Sequence, residues 1–183
     1  LLLPSIPQNA LLGTAVFDDK NNLEKSAGWI DPGLDFRRRR VSNQLLNSMQ
    51  QENIFLDWIS GCSMLFKPSS FSQLPRFDSS LSLYYEDMDF CIRLSQIGSP
   101  VIWMPSIRVV HRNGLGSITS LDRRLRMSSC SYIRFLQRHR PGFVLVIRTL
   151  RICLNALIRL PLSPRRSFSI FKGCYDAYSD PIA

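Results

Sequence analysis

A short acidic run at the start of a predicted helix is the first feature of this sequence that suggests chemistry. Glu86, Asp87 and Asp89 stand at the head of a segment in which apolar residues recur at helical spacing as far as Gly98. Carboxylates fixed at a helix start can take a proton from a bound hydroxyl group. They can equally do no more than complement the positive end of the helix dipole. Taken alone, the run leaves both interpretations open.

Further candidates surround this run in the sequence: Trp58, Ser60, Gly61, Arg93 and His111. Ser60-Gly61 interrupts an apolar stretch, and it either offers backbone groups to a ligand or simply kinks a strand. Arg93 can reach a phosphate or pack against an acidic residue of the same helix. Trp58 can stack on a ligand ring or belong to the core. His111 can bind a metal ion or hold a structural hydrogen bond at a strand end.

The elements that must position these residues are short strands followed by helices. Strands are predicted at 11–17, at 54–66 with a kink at Gly61, and at 101–104 and 107–110 around Pro105. A polar stretch at 31–53, which includes Arg37 to Arg40, predicts a surface loop with a short helix. Helices are predicted at 121–138 and 143–160.

Length and charge predict one main domain with a basic extension. The 183 residues, 45% of them apolar, suffice for one buried core. Residues 1–122 contain 11 basic and 12 acidic side chains, whereas residues 123–183 contain 12 and 2. Such asymmetry predicts that 123–183 meets an anionic surface, either membrane lipid or nucleic acid.

The helix predicted at 143–160 favours the membrane interpretation. Arg148, Arg151, Asn155 and Arg159 fall on one stripe of this helix, and apolar residues cover most of the rest. Three arginines oppose a spanning helix, because each is costly at bilayer depth. A helix that lies in the membrane interface fits the pattern better.

The spacing of the cysteines indicates the redox compartment, and the first residue bears on whether the chain is complete. The five cysteines are widely spaced without a C-x-x-C pair, which argues against a disulfide framework and a zinc site and favours a reducing compartment. The chain begins with Leu1 and shows no signal peptide, so we expect it to be a piece of a longer protein.

The order and spacing of the motifs resemble the second half of bacterial family 2 glycosyltransferases, especially rhamnosyltransferase-like members. The residues that carry the resemblance are Ser-Gly-Cys-Ser-Met at 60–64, Phe-Asp at 77–78, Tyr-Tyr-Glu-Asp-Met-Asp at 84–89, Arg93-Leu94, Gly98, Pro105 and Val-Val-His at 109–111. The resemblance covers about residues 10 to 120. It implies an α/β fold of the GT-A type at 1–122, lacking the N-terminal nucleotide-binding half, followed by basic helices at 123–183.

The resemblance also implies roles for the candidate residues. Asp87 would be the base that deprotonates a sugar hydroxyl, Glu86 would orient the acceptor, and Asp89 would cap the helix or support the site. Mg²⁺ or Mn²⁺ would neutralise the leaving diphosphate, with His111 as one ligand. The substrate would be contacted by Ser60, Gly61, Trp58, Asp89 and Arg93.

One departure from the family pattern limits what the chain can do alone. No Asp-x-Asp motif precedes these residues, so we expect the chain to lack a donor site and to be inactive by itself. The parent enzyme would move a sugar, such as rhamnose, from a nucleotide diphosphate to a lipid-linked or polysaccharide acceptor, at the cytoplasmic face of an anionic membrane. The alternative is a non-catalytic module that binds membrane or nucleic acid through 123–183, although no nucleic-acid-binding motif is present.

Overall fold

The structure is a computed structural model that describes residues 7–30, 38–42, 53–71, 76–112 and 120–179. Contacts divide the chain into two compact units. The first, here called the sheet unit, comprises Leu1–Phe77 and Asp87–Gly116. The second, the helical unit, comprises Asp78–Glu86 and Ser117–Ala183. The segment 78–86 therefore belongs with the basic helices, although it lies well before them in the sequence.

Seven strands and one helix occupy the described part of the sheet unit. The strands are β1 (Leu11–Phe17), β2 (Ala27–Ile30), β3 (Arg38–Arg40), β4 (Ile54–Leu56), β5 (Trp58–Ile59), β6 (Met64–Leu65) and β7 (Val101–Val110). Helix α1 (Glu86–Gln96) precedes β7, and a 3₁₀ turn spans Pro68–Ser70. A mixed four-stranded sheet has the order β4-β7-β1-β6, in which β1 and β7 are parallel. A second, antiparallel sheet has the order β3-β2-β5.

Strand β7 is continuous, so the prediction of two strands around Pro105 is wrong. The ladder to β1 pairs Thr14 with Met104 and then Ala15 with Arg108, which leaves the residues between them unpaired with β1. Proline has no amide hydrogen to donate, and such positions favour an irregular ladder. Pro105 therefore shifts the register without ending the strand.

The apolar segment 54–66 forms three short strands in two sheets, and the prediction of one kinked strand is also wrong. Asp57 separates β4 from β5, and its carboxylate accepts a hydrogen bond from the Ile30 amide at 2.6 Å. A turn at 60–63 separates β5 from β6. Of the loop predicted at 31–53, residues Arg38–Arg40 pair with β2 as a strand. The short helix predicted there falls in 31–37 or 43–52, which lie outside the described residues, so it stays a prediction.

Helix α1 presents its apolar face to the core, as its spacing predicts. Met88, Phe90, Cys91 and Leu94 are buried. Gly98 adopts a φ of 76°, a left-handed conformation that glycine accepts without steric cost, and this confirms the predicted stop.

The helical unit contains α2 (Leu121–His139), α3 (Gly142–Arg159) and α4 (Pro164–Ser179). The first two confirm the predicted helices, whereas α4 lies beyond the predicted elements. Helices α2 and α4 share a core that includes Cys130, Ile133, Cys174 and Ala177. Within the described residues, no helix is both long enough and apolar enough to cross a membrane.

Candidate functional site

The carboxyl ends of the parallel strands β1 and β7 position two of the site's side chains. His111 follows β7, and its amide donates to the Phe17 carbonyl at 2.8 Å. The amide of Glu24 donates to the neighbouring Val16 carbonyl, also at 2.8 Å. Consecutive carbonyls at the end of β1 thus anchor both residues. In open α/β sheets this end of the strands is where ligands usually bind.

The anchored side chains face each other. Nδ1 of His111 lies 3.2 Å from each carboxylate oxygen of Glu24. A carboxylate at this distance favours the tautomer that carries the proton on Nδ1. The lone pair of a neutral ring is then on Nε2, the arrangement found when a carboxylate orients a metal-binding histidine. The His111 side chain is 41% exposed, so the ring is accessible.

A turn at 60–63 forms the next part of the site. The Ser60 amide donates to the Ser26 carbonyl at 2.6 Å, and the Cys62 amide donates to Ser60 Oγ at 3.3 Å. Thr14 Oγ1, on β1, donates to Ser63 Oγ at 2.7 Å. The Thr14 bond holds the turn against β1, and the Ser26 bond ties it to the residue that precedes β2.

Asp87 and His111 contact neighbouring residues of this turn. The Gly61 amide donates to Oδ2 of Asp87 at 3.3 Å, while Oδ1 accepts from the Met88 amide at 2.8 Å. Sγ of Cys62 lies 3.9 Å from Nδ1 of His111. The side chain of Asp87 is partly buried at the start of α1. The structure therefore brings the predicted carboxylate and the predicted histidine to one turn.

Asp89 and Arg93 pair with each other on α1. Asp89 is fully buried, and its Oδ2 lies 2.7 Å from Nη2 of Arg93. The same Nη2 donates to the Arg76 carbonyl at 2.6 Å. This geometry agrees with the interpretation in which Arg93 packs against an acidic residue of its own helix. A contact of either residue with substrate stays a prediction.

The remaining candidates occupy different environments. Trp58 is 3% exposed and lies in the core, so a contact with a sugar ring stays a prediction. Glu86 is the first residue of α1 and is partly buried. Ser60 and Gly61 lie in the turn itself, and Gly61 is exposed.

Sequence reasoning missed Glu24 and the side-chain contact of Cys62. Glu24 lies in a polar stretch after β1 whose composition resembles any surface turn. Cys62 was assigned to a buried strand, whereas it is exposed. The signal for Glu24 is its contact with a residue 87 positions away, which a single sequence does not reveal.

The buried thiol of Cys91, on the same helix as Asp87, is unreactive. Burial raises the pKa of Cys91 to about 12, and the nearby charge of Asp87 acts in the same direction. The Cys91 thiol donates to the Ile59 carbonyl at 3.7 Å. At neutral pH this residue is a neutral core side chain rather than a nucleophile.

The metal-binding capacity of the described residues is partial. No group of three His, Cys, Asp or Glu side chains among them could hold an ion. His111, oriented by Glu24, fits the role of one ligand. A site with three or more protein ligands would need at least one ligand from outside the described residues.

Comparisons with known proteins point to glycosyltransferases, although no family model matches the chain. Rhamnosyltransferase WbbL of Escherichia coli is 31% identical over 85 residues, which cover 46% of this chain and 32% of that protein. N-acetylglucosaminyl-diphospho-decaprenol L-rhamnosyltransferase of Mycobacterium tuberculosis is 37% identical over 54 residues, 30% of this chain and 18% of that protein. The matches thus span a third or less of these relatives.

A solved structure shares the fold. The crystal structure of GalNAc-T7 with UDP, GalNAc and Mn²⁺ superposes with a TM-score of 0.51 at 13% identity, covering 94% of this chain and 36% of that one. The mixed sheet with its helices is therefore an α/β fold like that of GT-A glycosyltransferases. Together with the rhamnosyltransferase matches, it relates the chain to glycosyltransferases.

Proposed function

We propose that the chain is the acceptor-side portion of an inverting family 2 glycosyltransferase. The observation that carries the proposal is the carboxylate of Asp87, held by the Gly61 amide on the turn that also contacts His111. The donor would be a nucleotide diphosphate sugar, with rhamnose favoured by the names of the two relatives. The acceptor would be a glycan or a lipid-linked sugar. The mycobacterial relative's name favours a diphospho-polyprenol carrier.

The chemistry assigned to Asp87 is general base catalysis. Its carboxylate takes the proton of an acceptor hydroxyl as that oxygen attacks the anomeric carbon. The bond from this carbon to the nucleotide diphosphate breaks on the opposite face, which inverts the configuration. The diphosphate leaves with the electron pair of the broken bond, and the acceptor gains the sugar.

Neighbouring residues would position the reactants. The Gly61 amide binds one oxygen of Asp87 and the Met88 amide binds the other, and together they would fix the orientation of the carboxylate relative to the acceptor hydroxyl. Glu86 is assigned to the acceptor, and the turn at Ser60-Gly61 to a backbone platform beneath a sugar. The pair of buried Asp89 and partly exposed Arg93 would stabilise the first turns of α1.

A divalent cation, Mg²⁺ or Mn²⁺, is proposed for the complete enzyme. When bound, it would neutralise charge on the leaving diphosphate. His111 would supply one ligand through Nε2, with Glu24 holding the ring.

Replacing Asp87 by Asn in the complete enzyme tests the proposal. We expect transfer to fall by about 10²-fold or more, because the amide cannot accept the proton. Donor binding, measured by calorimetry with the nucleotide sugar, should stay within about twofold. Asp19→Asn, an exposed acid in the turn after β1, is the matched control and should keep wild-type turnover. Normal turnover in the Asp87→Asn enzyme would refute the assignment.

We further propose that the helical unit rests on the cytoplasmic face of an anionic membrane. One side of α3 exposes a row of large apolar residues, namely Phe143, Val146, Ile147, Leu150, Leu154, Leu157 and Ile158. The stripe of Arg148, Arg151 and Arg159 lies beside this row on the same helix. Apolar side chains flanked by cations favour a lipid interface over nucleic acid, which offers no apolar phase.

A further inference from the structure

A cavity of about 530 Å³ in the helical unit is lined by α2 and α4 and is strongly basic. Arg123, Arg126 and Arg134 contribute from α2, and Asp176 contributes from α4. At 3.6 residues per turn, the three arginines lie on one side of their helix. The walls therefore carry three guanidinium groups against one carboxylate.

Two of these arginines are held in place from within the unit. Nε of Arg126 lies 2.5 Å from Oδ2 of Asp176, and this hydrogen bond raises the pKa of the guanidinium further. Arg134 donates to the Ser80 carbonyl at 2.9 Å and to the Asp176 carbonyl at 3.3 Å. These two carbonyl contacts orient the Arg134 guanidinium. The third, Arg123, is exposed.

The lining matches a compact anion with several oxygens. Guanidinium groups bind phosphate oxygens in pairs, with both charge and geometry matched. Ser82 and Ser179 add hydroxyl groups to the same walls. Nucleic acid is disfavoured, because no aromatic side chain on which a base could stack is among the lining residues of this cavity. The volume lies within the usual range for small-ligand sites.

We propose that this cavity binds a diphosphate group. The identification of the ligand as the diphosphate of a lipid-linked acceptor rests on the proposed function. The cavity then recognises the charged link between the carrier lipid and its sugar, a part of the acceptor that takes no part in the transfer step. Binding there would select phosphorylated lipid acceptors over free glycans.

Calorimetry on the chain tests the site without any requirement for sugar transfer. Inorganic pyrophosphate and farnesyl diphosphate are the probes, and both should bind more tightly than orthophosphate. Arg123→Gln should weaken both by about tenfold or more, the usual effect of losing a charged hydrogen-bond donor. Arg166→Gln, which removes an exposed charge of α4 away from the cavity, should change affinity less than twofold.

Several outcomes overturn the inference. One is an equal loss of affinity in the two variants, since general electrostatic attraction would then explain binding. Another is failure of pyrophosphate to bind while vesicles containing phosphatidylglycerol bind in a manner that depends on Arg123, which would assign the cavity to lipid headgroups. Arg123 is exposed and outside the Arg126–Asp176 pair, so its replacement should leave the circular dichroism spectrum unchanged.

Failure here is distinguishable from failure of the proposed function. A complete enzyme that requires Asp87 for transfer, with no pyrophosphate binding by this chain, would refute the cavity assignment alone. Tight, Arg123-dependent binding by the chain would support the cavity even if the Asp87→Asn enzyme kept its turnover.

Discussion

The contact between His111 and Glu24 fixes the orientation of the histidine ring. The carboxylate lies 3.2 Å from Nδ1, and both residues are fixed by consecutive carbonyls at the end of β1. A ring held on one side offers its other nitrogen in a defined direction. In the proposed mechanism, Glu24 would be a positioning residue that acts on the chemistry through His111.

Replacing Glu24 by Ala should release this orientation. We expect the Nδ1-protonated tautomer of His111 to lose its dominance, because the carboxylate that accepts its proton is gone. Nitrogen chemical shifts of the ring, read by NMR on the chain, measure this directly. In the complete enzyme, Mn²⁺ affinity should fall by about 10- to 100-fold.

His139, the second histidine of the chain, is the internal control for the same spectrum. It packs on Phe135 in the helical unit, with ring centroids 4.8 Å apart, and should keep its shifts. An unchanged His111 spectrum in Glu24→Ala would show that the carboxylate does not orient the ring.

At the scale of elements, the buried face of α1 predicts a pH dependence. Burial raises the pKa of Cys91 from its ordinary value of 9.0 to about 12 in the folded chain. Between these values the unfolded chain loses a proton that the folded chain retains, so stability falls as pH rises. The contribution is complete below pH 9 and decreases by at most about 1.4 kcal/mol per pH unit above it.

Comparing wild type with Cys91→Ala isolates this contribution from other alkaline titrations. The difference in free energy of unfolding between the two proteins, measured in urea, should be smaller at pH 10 than at pH 8. Only wild type carries the buried Cys91 thiol, so only wild type loses this contribution. Equal losses in the two proteins would contradict the burial argument. At pH 8 the variant should be the less stable one, since it leaves a small cavity.

Close packing of strands predicts which glycines tolerate a side chain. A Cβ on Gly13 would lie 2.8 Å from two methyl carbons of Ile59, so Gly13→Ala should destabilise the chain by about 1–3 kcal/mol. A Cβ on Gly61 would meet only the Cβ of Asp87, at 4.0 Å. Gly61→Ala should therefore change the free energy of unfolding by less than about 0.5 kcal/mol.

Denaturant titration of the two alanine variants checks this difference. Gly61→Ala retains the backbone amide that donates to Asp87 and restricts only the backbone conformation at this position. Similar stability losses at the two positions would show that the close approach of Gly13 to Ile59 does not limit the fold.

Elements with a strong local pattern could be predicted from the sequence, and contacts between distant segments could not. The period of α1 and the stop at Gly98 follow from local residues, and so does β1. The division of 54–66 into three strands depends on pairing with β7, β2 and β1, which a continuous apolar run does not encode. The strand at Arg38–Arg40 was hidden by its charge, since its composition is typical of a solvated loop.

The candidate site shows the same difference between what local sequence predicts and what depends on contacts between distant segments. Asp87 and His111 were predicted from motif spacing, and the structure brings both to the turn at 60–63. Glu24 was not predicted, because its importance arises only when β1 and β7 align their ends. Trp58 and Asp89 are buried, a property that residue type alone does not fix.

At the scale of the whole molecule, the charges and the exposed apolar surface concentrate in the same stretch of chain. Residues 123–183 hold 12 basic and 2 acidic side chains, and the exposed row on α3 lies among them. In the membrane proposal, long-range attraction would bring this unit to an anionic surface, and burial of the apolar row would then hold it there. Neither term alone gives stable attachment.

Leu150→Glu tests this combination. Leu150 is 64% exposed at the centre of the row, so a charge there should weaken binding to phosphatidylglycerol vesicles by about tenfold or more without unfolding the chain. Phe55→Glu is the matched control, because Phe55 is equally exposed at 64% but lies in the sheet unit. Vesicle flotation of both variants measures the effect.

A single-stranded oligonucleotide added to the same flotation assay separates lipid from nucleic acid as the partner. If the exposed row enters lipid, the oligonucleotide should displace little protein from the vesicles, because nucleic acid offers no apolar phase to the row. Displacement of wild type from vesicles, with equal flotation of the Leu150 and Phe55 variants, would refute the membrane proposal. In that case the basic charge alone would account for binding, and the apolar row of α3 would have no role in it.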